Sequence, residues 1–186
     1  MILPIYIFGH PVLRKVARDI DTATYPNLPE LIQNMFETMY NADGVGLAGP
    51  QVGLEDRIFV VDLEPLADDE HPDFKGFKKA FINARITERD GDLELVEEGC
   101  LSIPGIHEKV PREGRIRITY LDENLQEHDE EYTGYHARVI QHEYDHLDGV
   151  MFVDKISPIR KRLIKTKLIG LTKGKTDCHY KVKVAR

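Results

Sequence analysis

The sequence predicts an α+β fold, in which antiparallel or mixed strands pack around a central metal-bearing helix, with a further N-terminal helix and a C-terminal helix. The middle of the chain contains several short runs in which apolar and polar residues alternate, as in half-buried strands. Residues 26–41 instead carry apolar residues at helical spacing, and residues 141–146 carry the motif His-Glu-x-x-His. Because the strands follow one another without alternating helices, α+β is favoured.

Two helices are predicted before the first strand. Residues 11–20 begin with a proline, which suits a first helical turn. Residues 26–41 predict a longer helix with one apolar face, formed by Leu28, Leu31, Ile32, Met35, Phe36 and Met39. Residues 44–53 then contain four glycines and a proline, so we expect no regular element there and a close approach of the backbone to another group.

The strands are predicted from alternation and from the turn residues between them. They span residues 57–63, 79–88, 92–98, 115–121 and 126–132. A turn at residues 89–91, Arg-Asp-Gly, is expected to join the second and third strands. The last strand is polar and is expected at an edge of the sheet, while residues 64–78 predict a surface excursion.

Two further helices are predicted in the last third of the chain. The first begins at Thr133 or Gly134, with Thr133 as an acceptable N-cap, and Gly149 ends it. Ser157 caps the second helix, and Pro158 lies in its first turn. We expect Leu163, Ile164, Leu168 and Leu171 to pack one face of this helix on the body.

The motif His-Glu-x-x-His predicts a metal site. Residues four apart share a helix face, so His142 and His146 can direct two imidazoles at one ion, with Glu143 close to that face. Cys100, in a turn-like segment beside a glycine, is the best third ligand, because a thiolate suits a divalent transition metal. The alternatives are two structural histidines and a cysteine that acts as a small buried hydrophobe.

Three protein ligands and one open position are typical of a catalytic centre rather than a structural one. Such a metal lowers the pKa of water, and Glu143 is placed to take the proton and pass it to a leaving group. The Gln51 side chain and a backbone N–H near Cys100 are the donors available to a developing oxyanion. The predicted reaction is metal-assisted hydrolysis of an amide-like bond.

The charge is unevenly distributed along the chain. The net charge is −7, yet residues 155–186 contain eleven Lys and Arg against one acid, Asp177. We expect a single catalytic domain at residues 1–170 and a basic, partly flexible tail at residues 171–186. The tail suggests a polyanionic partner, although a solvated helix with a frayed end explains it equally well.

The cysteine positions and the lengths of the apolar runs indicate where in the cell the protein is found. The two cysteines are far apart, and no secretory signal or run of about 18 apolar residues is present. We therefore expect a cytoplasmic protein with reduced thiols and no membrane partner.

Three separated motifs resemble one family. They are Gly-Val-Gly-Leu-Ala-Gly-Pro-Gln at residues 44–51, Glu-Gly-Cys-Leu-Ser at residues 98–102, and Gln-His-Glu-Tyr-Asp-His at residues 141–146. Together, and in this order, they resemble the peptide deformylases, bacterial enzymes that remove the formyl group from the N-terminal methionine of new proteins. The resemblance spans about residues 1–170.

The resemblance implies a role for each matching residue. Cys100, His142 and His146 would bind one Fe²⁺, replaceable by Zn²⁺, Ni²⁺ or Co²⁺, and Glu143 would be the general acid and base. Gln51 and the Leu101 N–H would donate to the formyl oxygen. The substrate backbone and the methionine side chain would be held by residues of the motifs, of the metal helix and of the strand before Cys100, namely Val45, Gly46, Val96, Gly99, Tyr135 and Val139. Beside them, Arg138 is expected to line the pocket with its stem and keep its charge in water.

The implied partners are nascent N-formyl-methionyl peptides and, through the basic tail, the RNA of the ribosome; no DNA partner is expected. Two rival functions remain. A zincin-type metalloprotease shares His-Glu-x-x-His but does not require Cys100 or Gln51. A non-catalytic metal-stabilised module that binds RNA would need a fourth protein ligand, and Glu143 would be dispensable.

Overall fold

A computed structural model describes residues 1–185. Five antiparallel strands form its main sheet: β2 (Gly46–Ala48), β3 (Ile58–Asp62), β4 (Lys78–Cys100), β5 (Ile103–Leu121) and β6 (Glu127–Thr133). Each strand pairs with the next along the chain, so the order in the sheet is β2-β3-β4-β5-β6. The polar strand β6 lies at the edge, as predicted, and the α+β class is confirmed.

The two longest strands form one hairpin, which corrects the prediction of a turn at residues 89–91. The chain runs straight through this stretch, and Asp90 pairs with Arg115 on β5. The ladder slips between Asp90 and Leu93, and Gly91 has φ +85°. Asp-Gly is therefore a bulge here, since the same left-handed glycine serves either a hairpin turn or a bulge.

The glycine-rich segment contains regular structure, so that expectation was also wrong. Strand β2 pairs with β3, and a 3₁₀-helix follows it at Gly49–Val52. Ladder hydrogen bonds join backbone groups, so they form without help from side chains wherever a strand partner is available.

Three α-helices accompany the sheet: α1 (Leu28–Asn41), α2 (Gly134–Leu147) and α3 (Pro158–Thr172). The short helix predicted at residues 11–20 is only a 3₁₀-turn, Pro11–Arg14. Ser157 caps α3 as predicted, with its Oγ 3.3 Å from the Arg160 N–H. Thr133 occupies the N-cap position of α2, as predicted, but its side chain makes no capping hydrogen bond.

Helix α2 is the most deeply placed element. Its residues from Ala137 to Leu147 are all buried. Ala137, Ile140 and Tyr144 pack on the sheet in the same cluster as Phe59 and Phe81. A helix buried on all sides holds its side chains in fixed orientations, which suits it to carry a site.

The C-terminal residues lie against the body. Strand β7 (Val182–Lys183) pairs in parallel with β1 (Ile5–Tyr6). On α3, Ile164 is buried as expected, but Leu163 is 63% exposed, which corrects its predicted place in the packed face. The division at residue 170 stays a prediction. Within residues 1–185, no helix combines the length and apolarity that a membrane span requires.

Candidate metal centre and active site

The three predicted ligands come together from two elements. Cys100 ends β4, while His142 and His146 lie one turn apart in α2. One ligand atom from each lies within 4.8 Å of the others, and Cys100 Sγ is 3.4 Å from His146 Nε2. One thiolate and two imidazoles suit a divalent transition metal and leave room for a fourth ligand. The donor set therefore fits the metal that the resemblance implies.

Glu98 orients one of these ligands and was missed in the sequence analysis. Its Oε1 lies 2.8 Å from His142 Nδ1, which leaves Nε2 of that ring free to ligate. Arg112 donates to both Glu98 oxygens, at 2.6 and 2.9 Å. Burial opposes ionisation of Glu98, but the hydrogen bonds from His142 and Arg112 outweigh it and hold its pKa at about 2. A carboxylate that fixes a ligating histidine in this way is a common support of metal sites.

Arg138 does not keep its charge in water, contrary to expectation. The residue is 6% exposed. One guanidinium nitrogen donates to Glu98 Oε2 at 2.6 Å and to the Val110 carbonyl at 3.0 Å, and the other donates to the Glu94 carbonyl. The arginine thus reinforces the carboxylate behind His142, because a buried charge requires a partner.

Glu143 is a buried carboxylate beside the ligands. It is 4% exposed, and its Oε2 has no hydrogen-bond partner among residues 1–185. Burial raises the pKa of Glu143 to about 7, although the nearby positive charge of His142 lowers it in part. A Cβ at Gly46 would lie 2.5 Å from Glu143 Oε1, so glycine is required where β2 passes this carboxylate.

Gln51 is held with its amide nitrogen toward the ligands. It is 1% exposed, and its Oε1 accepts the Ala48 N–H at 2.9 Å. This fixes the amide so that Nε2 donates to Ser102 Oγ at 3.1 Å and lies 3.5 Å from Cys100 Sγ. The glycine-rich segment therefore places a donor at the candidate metal centre, as the sequence suggested.

These residues border a cavity of about 390 Å³. Gln51, Cys100, Leu101, His142 and Glu143 line it, and so do most of the predicted substrate contacts, Val45, Gly46, Gly99, Tyr135 and Val139. Val96 is not part of the lining and is 39% exposed, so the structure does not bring it to the cavity.

Two lining residues come from the C-terminal segment. Cys178 and Tyr180 border the cavity, although neither was predicted as a site residue. No local sequence pattern predicts that these two residues reach the cavity, because their position depends on the pairing of β7 with β1. Glu98 did carry a signal, since it opens the second of the three motifs, two residues before Cys100.

Comparisons with known proteins agree with this geometry. The family model for polypeptide deformylase matches residues 2–162. Peptide deformylases of Flavobacterium johnsoniae and Christiangramia forsetii are 54% and 53% identical to the chain, covering 100% and 98% of it and 97% and 96% of their own lengths. The crystal structure of the Thermus thermophilus enzyme is 38% identical, with a TM-score of 0.80, and the match covers 93% of this chain and 99% of that one. The chain therefore belongs to the polypeptide deformylase family, the hydrolases that remove the N-formyl group from new proteins.

Proposed function

We propose that this chain hydrolyses the N-formyl group of formyl-methionyl peptides at a metal centre held by Cys100, His142 and His146. The observation that carries the proposal is the placement of three ligand atoms within 4.8 Å of one another. They lie beside a cavity that also contains a buried carboxylate and an oriented amide. Fe²⁺ is the proposed ion, with Zn²⁺, Ni²⁺ or Co²⁺ as substitutes. A bound divalent ion supplies Lewis-acid chemistry, polarising a carbonyl and lowering the pKa of water.

Glu143 is the proposed acid and base. It takes a proton from the water that attacks the formyl carbon, and it returns that proton to the nitrogen as the C–N bond breaks. The products are formate and a free amine. The proposal is supported by the burial of Glu143 and by its partnerless Oε2 within residues 1–185, because a carboxylate committed to an ion pair is a poor proton carrier.

Gln51 and the Leu101 N–H are the proposed donors to the formyl oxygen. Negative charge develops on that oxygen during attack, and donors fixed in advance stabilise it most. The Gln51 amide is fixed by Ala48 and Ser102. Leu101 follows Cys100 directly, so its N–H lies next to a ligand.

The substrate is proposed to lie along the glycines that border the cavity. Gly46 and Gly99 line the cavity and offer backbone groups to a peptide, and Val45, Tyr135 and Val139 offer apolar surface to a methionine side chain. Val96 can contribute only if the exposed part of β4 folds over a bound peptide.

The setting is proposed to be the cytoplasm, next to the ribosome. On α3, Lys161, Arg162, Lys165 and Lys167 are exposed, whereas Arg160 is paired with Glu108. Exposed cations of this kind suit RNA phosphates, and the acidic remainder of the chain would be repelled.

The test is turnover of a formyl-Met tripeptide by anaerobically purified protein, with metal analysis of the same sample. We expect one ion per chain and release of formate, with no action on the matching acetyl-Met peptide or on internal peptide bonds. Cys100→Ala should lose metal and activity together. Full metal occupancy and normal turnover in that variant would remove Cys100 from the ligand set, and cleavage of internal bonds would favour the zincin-type rival.

A further inference from the structure

The carbonyls of one short turn are held by groups from outside the sheet. Residues 101 and 102 form the turn between β4 and β5, closed by the pair Cys100 and Ile103. The Tyr180 hydroxyl donates to the Leu101 carbonyl at 2.7 Å. The Phe8 N–H donates to the Ser102 carbonyl at 2.8 Å. Both carbonyls of the turn are therefore fixed.

The two groups that hold the turn, the Tyr180 hydroxyl and the Phe8 N–H, lie close to the paired strands β1 and β7 in the chain. The Ile5 N–H donates to the Lys181 carbonyl at 2.9 Å, and the Ile7 N–H to the Lys183 carbonyl at 3.1 Å. Ile5 and Ile7 are 1% and 0% exposed, so this N-terminal strand is anchored in the core. The pairing in turn anchors the residues on either side of it, Tyr180 among them.

The same C-terminal segment also reaches the residues between α1 and β2. His179 Nε2 lies 3.0 Å from the Asn41 carbonyl, at the end of α1. It is 3.4 Å from a carboxylate oxygen of Asp43, which lines the cavity. Residues 178–180 thus bridge the turn that follows Cys100 and the segment that leads into β2.

We infer that residues 178–180 complete the active site and that Tyr180 is a positioning residue for the 101–102 turn. The inference rests on the proposed function, because this turn carries the Leu101 N–H and Ser102 Oγ, which accepts from Gln51. Without the tyrosine hydroxyl the Leu101 carbonyl loses its fixed partner, and both proposed oxyanion donors become less well placed. Residues 178–180 then form part of the wall of the substrate cavity, whether or not the basic tail also binds RNA.

The test removes one oxygen atom. Tyr180→Phe keeps the ring and should leave folding and metal content intact. We expect kcat for a formyl-Met tripeptide to fall about 10-fold, because misplacing a catalytic group can cost up to ~10²-fold. KM should change less than about twofold. Amide hydrogen exchange of a peptide covering residues 100–103 should become faster. Tyr25→Phe is the matched control, because the Tyr25 hydroxyl donates at 2.6 Å to Asp56 and Tyr25 does not line the cavity.

Each outcome decides one question. If Tyr180→Phe changes kcat and exchange no more than Tyr25→Phe does, the inference is wrong while the deformylase proposal stands. If kcat falls only because metal is lost, Tyr180 supports the metal site and not the donors, and the inference is again wrong. A wild-type protein that binds metal but does not turn over the formyl peptide overturns the proposed function and this inference with it.

Discussion

Two arginine–glutamate pairs in this molecule have nearly the same geometry and different surroundings. Arg112 donates to both oxygens of Glu98 at 2.6 and 2.9 Å, and Arg160 donates to both oxygens of Glu108 at 2.8 and 2.7 Å. The Arg112 side chain is 2% exposed, whereas that of Arg160 is 51% exposed. The first pair stands behind His142, and the second joins α3 to the surface of the sheet.

The comparison separates charge that organises chemistry from charge that faces solvent. Around α2 the buried arginines and Glu98 have specific partners, and this one carboxylate serves Arg112, Arg138 and His142 together. Along α3 most cations are exposed, where water and salt screen them. We therefore expect substitutions around α2 to alter turnover or folding and those on α3 to alter only association.

The largest effect is expected at Glu143. Glu143→Gln keeps the size of the buried side chain but cannot accept the proton from water. We expect kcat for the formyl-Met peptide to fall about 10²–10⁴-fold, the usual contribution of general acid–base catalysis, while bound metal per chain is unchanged. Formate release and metal content are measured on the same preparation. Turnover near the wild-type value would exclude Glu143 as the proton carrier.

Gln51 is expected to rank second. Gln51→Ala removes a donor whose contribution grows as charge develops on the formyl oxygen, so kcat should fall about 10²–10³-fold with little change in KM. The variant also leaves the Ala48 N–H and Ser102 Oγ without their partner, so a thermal scan must accompany the kinetics. A rise in KM with unchanged kcat would mean that Gln51 only binds the substrate.

The two arginine pairs allow a direct test of the comparison. Arg112→Met takes a buried positive charge away from both Glu98 and Asp145, while Arg138 still pairs with Glu98, so the free energy of unfolding should fall by up to about 3–5 kcal/mol. Arg160→Met should cost less, because the Arg160 side chain is 51% exposed and solvent screens its charge, although the Glu108 side chain is itself only 5% exposed. Urea unfolding of both variants at one fixed metal concentration gives the two values. Equal losses would show that exposure does not distinguish the pairs.

The sequence predicted the local features of the fold and site well. Helical spacing located α1 to within two residues, and three short motifs identified every candidate ligand, Glu143 and Gln51. What it could not predict depends on distant partners. Arg138 is buried because Glu98, forty positions away, receives its charge, and Asp-Gly at residues 90–91 is a bulge because β5 continues opposite it. Tyr180 reaches the cavity only after β7 pairs with β1.

The smallest effect on turnover is expected at the exposed cations of α3 and at Lys173, directly after it. The triple variant Lys161→Glu, Lys165→Glu and Lys173→Glu reverses three exposed cations that make no ion pair within residues 1–185. Turnover of a free formyl-Met peptide should stay within about twofold, because these side chains lie outside the cavity lining. Co-sedimentation with ribosomes at low salt should be lost, since contacts between cations and phosphates dominate such binding and weaken steeply with salt.

A matched control reverses cations outside this region. Lys75→Glu and Lys78→Glu alter exposed lysines on the acidic part of the chain and should leave co-sedimentation unchanged. Normal co-sedimentation of the triple variant, or none for the wild type, would leave the α3 charges as a solvated surface. Lost turnover in the triple variant would break the comparison itself, because exposed charge would then contribute to the chemistry as the buried charge around α2 does.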